Sequence, residues 1–378
     1  MNKFFGVIIV LIVLTGCWNR KEIETLGFVL AAGIDQMEDK YVVSTQVANT
    51  EVLAKDVAGG EKSYFTYKSI GQSEFDAIRN VTNVGPNRLF WSHTKVLVIS
   101  EDVAKKGIKP ALEFFTRDAE ERRNFLIVIT PLRAEKIIEA NVKTKKLPAI
   151  SLFDQLELEK ATSKRVTINL NEFFRKYHTT ESAMIPTVTI VTNQGEVNGV
   201  SFKMGDTAIF KKDKLVGYFS PNEIRGVLWV KEDVKSAIVV TDCPKKTNEL
   251  ERISFETFQN KSDVTVVKKN DNFEFHIKVI EKGNLAEAPC VSGETNPKVI
   301  KDLEKIKKEK IKSEILTALE KAQKMKVDVF GFGELVHRTY PKEWKHIEKE
   351  WDEIFSNITV NIEIESTITG NALIQRKK

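Results

Sequence analysis

Apolar residues follow two different patterns along this chain, and the change from one to the other predicts two kinds of sheet. In the first half, the strand-like residues 27–34 (GFVLAAGI), 41–48 (YVVSTQVA), 96–99 (VLVI) and 125–130 (FLIVIT) are rich in apolar side chains without strict alternation. Such runs are typical of strands that helices cover on both faces. The first half is therefore expected to form an α/β sheet, which the strand-like residues 183–192 (AMIPTVTIVT) close.

Helices are predicted between these strands. Ser73 and Asp76 occupy capping-box positions. Apolar residues follow at helical spacing, and they are Phe75, Ala77, Ile78 and Val81. A strand, a helix and a strand in this order predict a right-handed parallel crossover. Further helices are predicted from Pro110 onward and near residues 133–140, 151–160 and 170–177.

The second half shows strict alternation instead. In residues 273–280 (FEFHIKVI), Phe273 and Phe275 alternate with Glu274 and His276. Residues 359–367 (TVNIEIEST) alternate in the same way. A period of two indicates a sheet with one face in water, which is usually antiparallel.

One long helix is predicted within this second half. Asn296 can cap it, Pro297 suits the first helical position, and the pattern continues to about Lys326. Its lysine-rich surface is either a solvated helix face or a basic surface for a partner or membrane. The apolar stripe of this helix consists of Ile311, Ile315, Ala318, Leu319 and Ala322.

These patterns predict a multidomain α+β protein. An N-terminal mixed α/β domain, open to further subdivision, is expected over residues 17–192. A C-terminal domain with a largely antiparallel sheet and the long helix is expected over residues 193–378. Residues 1–16 belong to neither domain, because they have the pattern of a signal peptide.

The chain starts with a basic Lys3 and an uninterrupted run of apolar and glycine residues at 4–14. As a helix this run would be about 16 Å long, too short for a bilayer core of roughly 30 Å. It ends in Leu14-Thr15-Gly16-Cys17, which matches a bacterial lipobox. We therefore predict cleavage before Cys17, a diacylglycerol thioether on its thiol and an acyl chain such as palmitate on its amine. A plain secretory signal or an uncleaved anchor is the alternative.

Composition narrows the function further. Hydrophobic residues make up 42% of the chain and charged residues 29%, as in ordinary globular proteins. The formal net charge of +5 over 378 residues is small, so nucleic-acid binding is not expected. No stretch after residue 17 is apolar over 18 residues, so we expect no further membrane span.

Two cysteines remain once Cys17 carries lipid. Cys243 and Cys290 both flank predicted strands, and no metal-ligating motif accompanies them. They form either a disulfide between neighbouring strands or two free buried thiols. A disulfide would close a loop of 46 residues and stabilise the fold by roughly 4 kcal/mol in the chain-entropy model.

Catalytic and metal-binding motifs are missing from the sequence. There is no HExxH, CxxC, GxSxG or EF-hand pattern. Residues 59–63 (GGEKS) differ from a P-loop because Glu61 interrupts it, and residues 331–333 (GFG) are expected to form a tight turn. We therefore expect no enzymatic activity, no metal and no cofactor. The five histidines have no metal-binding spacing, and they are His93, His178, His276, His337 and His346.

Several long stretches resemble the C-subunit lipoproteins of spore nutrient germinant receptors, the Ger(x)C family. The resemblance is colinear and covers nearly all of the chain after Gly16. It rests on residues 17–35 (CWNRKEIETLGFVLAAGID), 75–108 (FDAIRN…KKGI), 113–129 (EFFTRD…FLIVI), 205–230 (GDTAIF…VLWV) and 328–373 (DVFGFG…GNAL).

The resemblance implies a lipid-anchored protein on the outer face of the spore inner membrane. Such proteins act with two integral-membrane partners, the A and B subunits, when nutrients trigger germination, and they have no known enzymatic activity. It also implies α/β domains and lipid attachment at Cys17. We expect the ectodomain alone to be monomeric.

An alternative is a lipid-anchored solute-binding protein that captures a small-molecule germinant. Such proteins usually have two similar doubly wound lobes around a cleft, and the alternating strands of the second half argue against that architecture. Aromatic residues are candidates for partner contact, although membership of the core is the competing interpretation. These candidates are Trp18, Trp229, Trp344 and Trp351.

Overall fold

The fold is built from two β-sheets with helices packed against them. It was obtained as a computed structural model. The structure describes residues 26–55, 62–85, 87–117, 123–142, 145–158, 162–192, 199–244, 251–270, 272–290 and 296–371.

The larger sheet is nine-stranded and mixed. Its strands are β1 (Leu26–Met37), β2 (Lys40–Ala48), β3 (Tyr64–Gly71), β4 (Arg88–Phe90), β5 (Val96–Ser100), β6 (Leu126–Thr130), β7 (Ala183–Thr192), β8 (Val200–Lys211) and β9 (Lys214–Phe219). Their order is β3-β2-β1-β5-β6-β7-β8-β9, with β4 paired to β1. Strands β1, β5, β6 and β7 are parallel neighbours, whereas β2, β3, β8 and β9 pair antiparallel.

Seven helices are described around this sheet. They are α1 (Thr50–Lys55), α2 (Glu74–Asn80), α3 (Glu101–Lys106), α4 (Lys109–Arg117), α5 (Ala134–Ile138), α6 (Pro148–Glu157) and α7 (Leu170–Tyr177). Leu97 and Ile99 on β5 pack in one core with α2, α3, α4 and α7, whereas Val96 and Val98 pack in another with α5 and α6. All residues of β5 and β6 are buried. The predicted doubly covered strands and the parallel β5–β6 crossover are thus confirmed.

Helix α2 has the predicted cap, but its aromatic residue, Phe75, is exposed. Helix α2 begins after Ser73, whose hydroxyl accepts a hydrogen bond from the Asp76 N–H at 3.2 Å, as the capping pattern predicts. Phe75, however, is 50% exposed and lies outside the buried stripe, although its spacing is helical. The buried stripe consists of Glu74, Ala77 and Ile78, and Phe75 lies about 100° around the helix from Glu74.

The larger sheet continues beyond residue 192. Strand β7 pairs antiparallel with β8, and β8 pairs with β9, so both later strands belong to the larger sheet. The predicted division between residues 192 and 193 therefore falls between two neighbouring strands of one sheet. The hydrophobic pattern changes there because the strands of the sheet become antiparallel. Antiparallel strands at the margin of a sheet keep one face in water, so they are less uniformly apolar.

The smaller sheet has four strands, in the order β10-β11-β12-β13. Three pairings follow the chain, of which β10–β11 and β11–β12 are antiparallel and β12–β13 is parallel. The long helix and three short helices lie between β12 and β13. They carry the chain back to the end of the sheet where β12 begins, so β13 runs in the same direction as β12. The elements after β9 are α8 (Pro221–Val230), β10 (Ala237–Asp242), β11 (Arg252–Lys269), β12 (Asn272–Glu287), α9 (Pro297–Met325), α10 (Phe332–Thr339), α11 (Pro341–Ile347), α12 (Trp351–Ser356) and β13 (Thr359–Asn371).

The predicted helix and alternating strand are both present. The Asn296 side chain accepts hydrogen bonds from the backbone N–H groups of Lys298 and Val299, each at 3.0 Å. Helix α9 ends at Met325, and Lys326 follows with a left-handed φ of 54°. All five residues of the predicted apolar stripe are buried. On β12, Phe273, Phe275, Ile277 and Val279 face this core.

Candidate functional site

The predicted lipid-attachment residue, Cys17, lies outside the described residues, and so does Trp18. The first described residue is Leu26 at the start of β1. Within the described ranges, no helix is long and apolar enough to cross a membrane. Lipid attachment at Cys17 therefore stays a prediction from the lipobox alone.

The two remaining cysteines are brought together by the smaller sheet. Cys243 follows β10 and Cys290 follows β12, on either side of the intervening strand β11. Their Cα atoms lie 6.1 Å apart, and the structure joins their sulfur atoms. This Cα distance is within the range of natural disulfides. The geometry supports the disulfide hypothesis, and the oxidation state of the two thiols stays a prediction.

Helices α8 and α9 are joined by a buried ionic group that the sequence did not predict. The Arg225 guanidinium donates to the Glu314 carboxylate through Nε at 2.8 Å and through Nη2. The Trp229 indole donates to the same carboxylate at 3.1 Å, and Nη1 of Arg225 donates to the Ile238 carbonyl on β10 at 2.9 Å. The group thus ties two helices to one edge of the smaller sheet.

A second buried ion pair ties α9 to the middle of the smaller sheet. The Lys307 ammonium lies 2.6 Å from the Glu281 carboxylate, and both side chains are fully buried. The hydroxyl groups of Thr257 and Ser366 each donate to Glu281 at 2.7 Å. Burial lowers the pKa of Lys307, although the nearby Glu281 opposes that shift. Three strands and a helix therefore share one carboxylate.

A third group of charges lies between α7 and the end of α8. The Glu181 carboxylate contacts the ammonium groups of Lys176 on α7 and of Lys231, the latter at 2.6 Å. Burial raises the pKa of Glu181, but the two lysines outweigh it and hold that pKa below its ordinary value. Lys176, Lys231 and Arg175 line a cavity of about 320 Å³ beside this group. The charges fix the position of α7 relative to the end of α8.

The predicted tight turn at residues 331–333 is the start of α10. Gly331 has a left-handed φ of 79°, and the backbone N–H groups of Gly331, Phe332 and Gly333 donate to the Asp328 carboxylate at 2.8, 3.1 and 2.7 Å. The Trp351 indole donates to it at 3.0 Å. Burial raises the pKa of Asp328, although these donors oppose the shift.

The candidate tryptophan contacts belong to the core. Trp229, Trp344 and Trp351 are at most 3% exposed, so the structure favours the core interpretation over partner contact. Large exposed apolar side chains lie elsewhere, for example Phe75 on α2 and Phe258 on β11.

Residue types that bind metals do not cluster in the described ranges. In the part of the chain that the structure describes, no group of three or more His, Cys, Asp or Glu residues could hold a metal ion. His276 is 46% exposed at its side chain and lies 3.5 Å from Glu274 on the same strand, as expected for a solvated residue.

The buried charges could not be recognised in the sequence, because there they look like surface residues. Arg225 was the one detectable case, since it interrupts the apolar residues of α8 (PNEIRGVLWV). Lys307 and Glu314 lie in a helix rich in lysine and glutamate, where only the phase of the apolar stripe distinguishes them. The pairing partner of each charge is distant in the sequence.

This fold defines the class of the protein. It is a two-sheet α+β protein whose buried charges are paired with one another, as in Arg225–Glu314 and Lys307–Glu281. A family model described as "Spore germination protein N-terminal domain" matches residues 19–190, and one described as "Spore germination B3/ GerAC like, C-terminal" matches residues 205–371. Together the two models match most of the chain. The chain belongs to the GerAC-like family of spore germination proteins, and the predicted resemblance is confirmed.

Curated relatives and a solved structure agree with this assignment. The chain is 25% identical to spore germination protein KC of Bacillus subtilis, over 96% of this chain and 93% of that protein. It is 24% identical to spore germination protein B3 of the same organism, over 96% of each chain. The crystal structure of the GerBC protein matches with a TM-score of 0.59 and 21% identity, over 90% of this chain and 98% of that chain. The last match bears on the fold alone.

Proposed function

We propose that this protein is the lipid-anchored C subunit of a spore nutrient germinant receptor. It acts without catalysis on the outer face of the spore inner membrane, together with the integral-membrane A and B subunits. The family membership carries this proposal, because it establishes a role in spore germination. The lipobox supplies the anchor and Cys17 the attachment site.

The position of the first strand supports a tethered subunit. Nine residue steps separate Cys17 from Leu26, where β1 begins. Even a fully extended chain of that length reaches at most about 30 Å. Lipid at Cys17 would thus hold the larger sheet near the headgroups, where confinement raises its effective concentration for membrane-embedded partners.

The architecture does not favour the solute-binding alternative. Within the described ranges, one sheet has nine mixed strands and the other has four largely antiparallel strands. Two similar doubly wound lobes around a cleft are the expected form of such a protein, and these two sheets differ in size and topology.

Recovery of the intact complex tests the proposal. A C-terminally tagged chain is purified from spore inner membranes in mild detergent, and co-purifying proteins are identified by mass spectrometry. We expect one A-type and one B-type integral-membrane subunit in the eluate. A Cys17→Ala chain serves as the control for membrane tethering. Recovery of a functional tagged chain without either subunit would contradict the proposal.

A further inference from the structure

An open cavity lies between helices α2 and α4, which pack beside the larger sheet, away from all the charge groups described above. Its volume is about 640 Å³. Phe75 and Phe114 form an apolar part of its lining, and Glu74, Glu113 and Arg117 add charged groups. This space is large enough for a small organic molecule.

Glu74 is the unusual residue of this cavity. It is 4% exposed, and neither of its carboxyl oxygens has a hydrogen-bond partner at bonding geometry. Burial raises the pKa of Glu74 well above its ordinary value, the backbone of Phe114 opposes the shift, and Glu113 adds to it. A buried carboxyl without a partner costs stability, so its position requires an explanation.

Other buried carboxylates in the described ranges accept hydrogen bonds from several donors. Glu314 accepts from Arg225 and Trp229, and Glu281 accepts from Lys307 and two hydroxyl groups. Asp328 accepts four hydrogen bonds. The fold therefore supplies donors at bonding geometry to the carboxylates that it uses structurally, whereas the backbone of Phe114 lies near the Glu74 carboxyl without reaching bonding geometry.

The groups around Glu74 favour a cation over an anion. The one cationic group that lines the cavity, Arg117, is already paired with Glu113 at 2.5 Å. The Phe75 and Phe114 rings lie 5.8 Å apart, and the Arg79 guanidinium lies 4.9 Å from the Phe75 ring centre. Aromatic faces attract cations as well as apolar groups. An anion would face Glu113 and Glu74 without a free cation in the lining.

We propose that this cavity binds a small primary amine with a short apolar stem. The ammonium group pairs with Glu74, and the stem packs against Phe75 and Phe114. Below the pKa of Glu74 in the free protein, its carboxyl loses a proton to solvent as the ammonium binds, so that an ion pair replaces a neutral acid. The proposal goes beyond the germination role and does not depend on it.

Proton release gives the site a characteristic pH dependence. Affinity rises with pH by at most tenfold per unit, as long as the pH stays below the pKa of Glu74 in the free protein. The titratable and charged groups that face Glu74 are Glu113 and Arg117 on α4 and Tyr41 on β2. Burial raises the pKa of Tyr41, and Glu74 raises it further, so Tyr41 keeps its proton through neutral pH. The linked proton therefore comes from Glu74.

Calorimetry with n-butylammonium chloride tests the proposal on the full-length chain in detergent. We expect saturable binding that is tighter at about pH 8 than at about pH 6, with proton release on binding at the lower pH in a pair of buffers of different ionisation enthalpy. Glu74→Gln should weaken binding at least tenfold at the higher pH and remove its pH dependence. Glu51→Gln is the matched control, because it removes an exposed first-turn carboxylate from α1 outside the cavity.

Uncharged n-butanol distinguishes an ammonium site from a merely apolar cavity. Binding of n-butanol as tight as that of n-butylammonium would overturn the proposal, and so would amine binding without proton release at the lower pH. Absence of saturable amine binding at the higher pH would overturn it as well. Proton release is measured on the unmodified chain, so this result holds even where Glu74→Gln fails to fold.

Discussion

Arg225 and Glu314 form a two-pronged ion pair between α8 and α9, and their side chains are 4% and 3% exposed. The residue after Arg225 approaches the same part of α9. A Cβ atom on Gly226 would lie 2.2 Å from the Glu314 carbonyl oxygen. The pair and the glycine together set the separation of the two helices, and each leads to a prediction.

Removal of one member of the pair should be far more damaging than removal of both. Glu314→Leu or Arg225→Met alone should lower the free energy of unfolding by about 3–5 kcal/mol, because the remaining group is buried without its partner. The double variant should recover much of that loss. Urea unfolding of all three variants measures the coupling.

An exposed pair provides the control for this cycle. Lys278 and Glu365 lie 2.6 Å apart with side chains about half exposed. Glu365→Gln should change the free energy of unfolding by less than about 1 kcal/mol. Losses of similar size at Glu314 and Glu365 would show that burial does not strengthen the Arg225 pair.

Gly226→Ala should destabilise the protein, because its Cβ would collide with the backbone of α9. Overpacking of this kind costs about 1–3 kcal/mol. Gly217→Ala is the comparison, because there the nearest atom is the terminal methyl group of Met325, which can rotate away. Thermal unfolding should give a lower Tm for Gly226→Ala than for Gly217→Ala. An equal Tm for the two variants would show that α8 and α9 can move apart to accept the added Cβ atom without loss of stability.

The Cys243–Cys290 disulfide should be present in the purified protein and should stabilise it by roughly 4 kcal/mol. Peptide mapping without reduction should recover one linked peptide pair. A Cys243→Ala/Cys290→Ala double variant should unfold at lower urea concentration than the oxidised chain, and reductant should affect only the latter. Two alkylatable thiols in the unfolded, unreduced chain would exclude the bond.

Glu74 should make the stability of the protein depend on pH. A carboxyl with a raised pKa keeps its proton in the folded state while the unfolded chain loses it above its ordinary value of 4.5. The folded state therefore loses stability as the pH rises from that value through the pKa of the folded protein.

Glu74→Gln removes this loss, since glutamine does not titrate. The variant should gain stability over the unmodified chain when urea unfolding is repeated at about pH 8 instead of about pH 5. Glu51→Gln should show no such gain. A stability difference that does not change with pH would place the Glu74 pKa near its ordinary value.

Cys17→Ala should abolish lipid attachment, because the substituted side chain has no thiol. The apolar run at residues 4–14 is too short to replace the lipid as a stable anchor. Spores with the variant should respond slowly or not at all to the nutrients of this receptor, yet normally to nutrients read by others. Optical density after nutrient addition measures the response, and fractionation with immunoblotting confirms that the protein persists.

Thr15→Ser is the control, because it keeps a small residue in the lipobox. A Cys17→Ala protein that stays in the membrane fraction and supports germination at the normal rate would show that lipid is not the working anchor.

The sequence alone determined the elements whose environment is uniform along their length. Buried strands such as β5 and β6 show solid apolar runs, β12 shows strict alternation, and α9 carries its own cap at Asn296. These signals are local, because the polarity of each residue indicates whether its side chain faces the core or water. The lipobox pattern that ends in Cys17 is local as well, so the prediction of lipid attachment rests on four consecutive residues and needs no tertiary structure.

Tertiary structure alone decided which charged residues are buried and with which partner. Glu314 and Arg225 are 89 residues apart, and Glu281 and Lys307 are 26 apart. Nothing in the local polarity of a lysine-rich and glutamate-rich helix indicates such pairs. Phe75 and Glu74 show the same limit, since a shift of about 100° around α2 exposed the aromatic ring and buried the acid. Helical phase and long-range pairing depend on what packs opposite, and only the assembled fold brings those surfaces together.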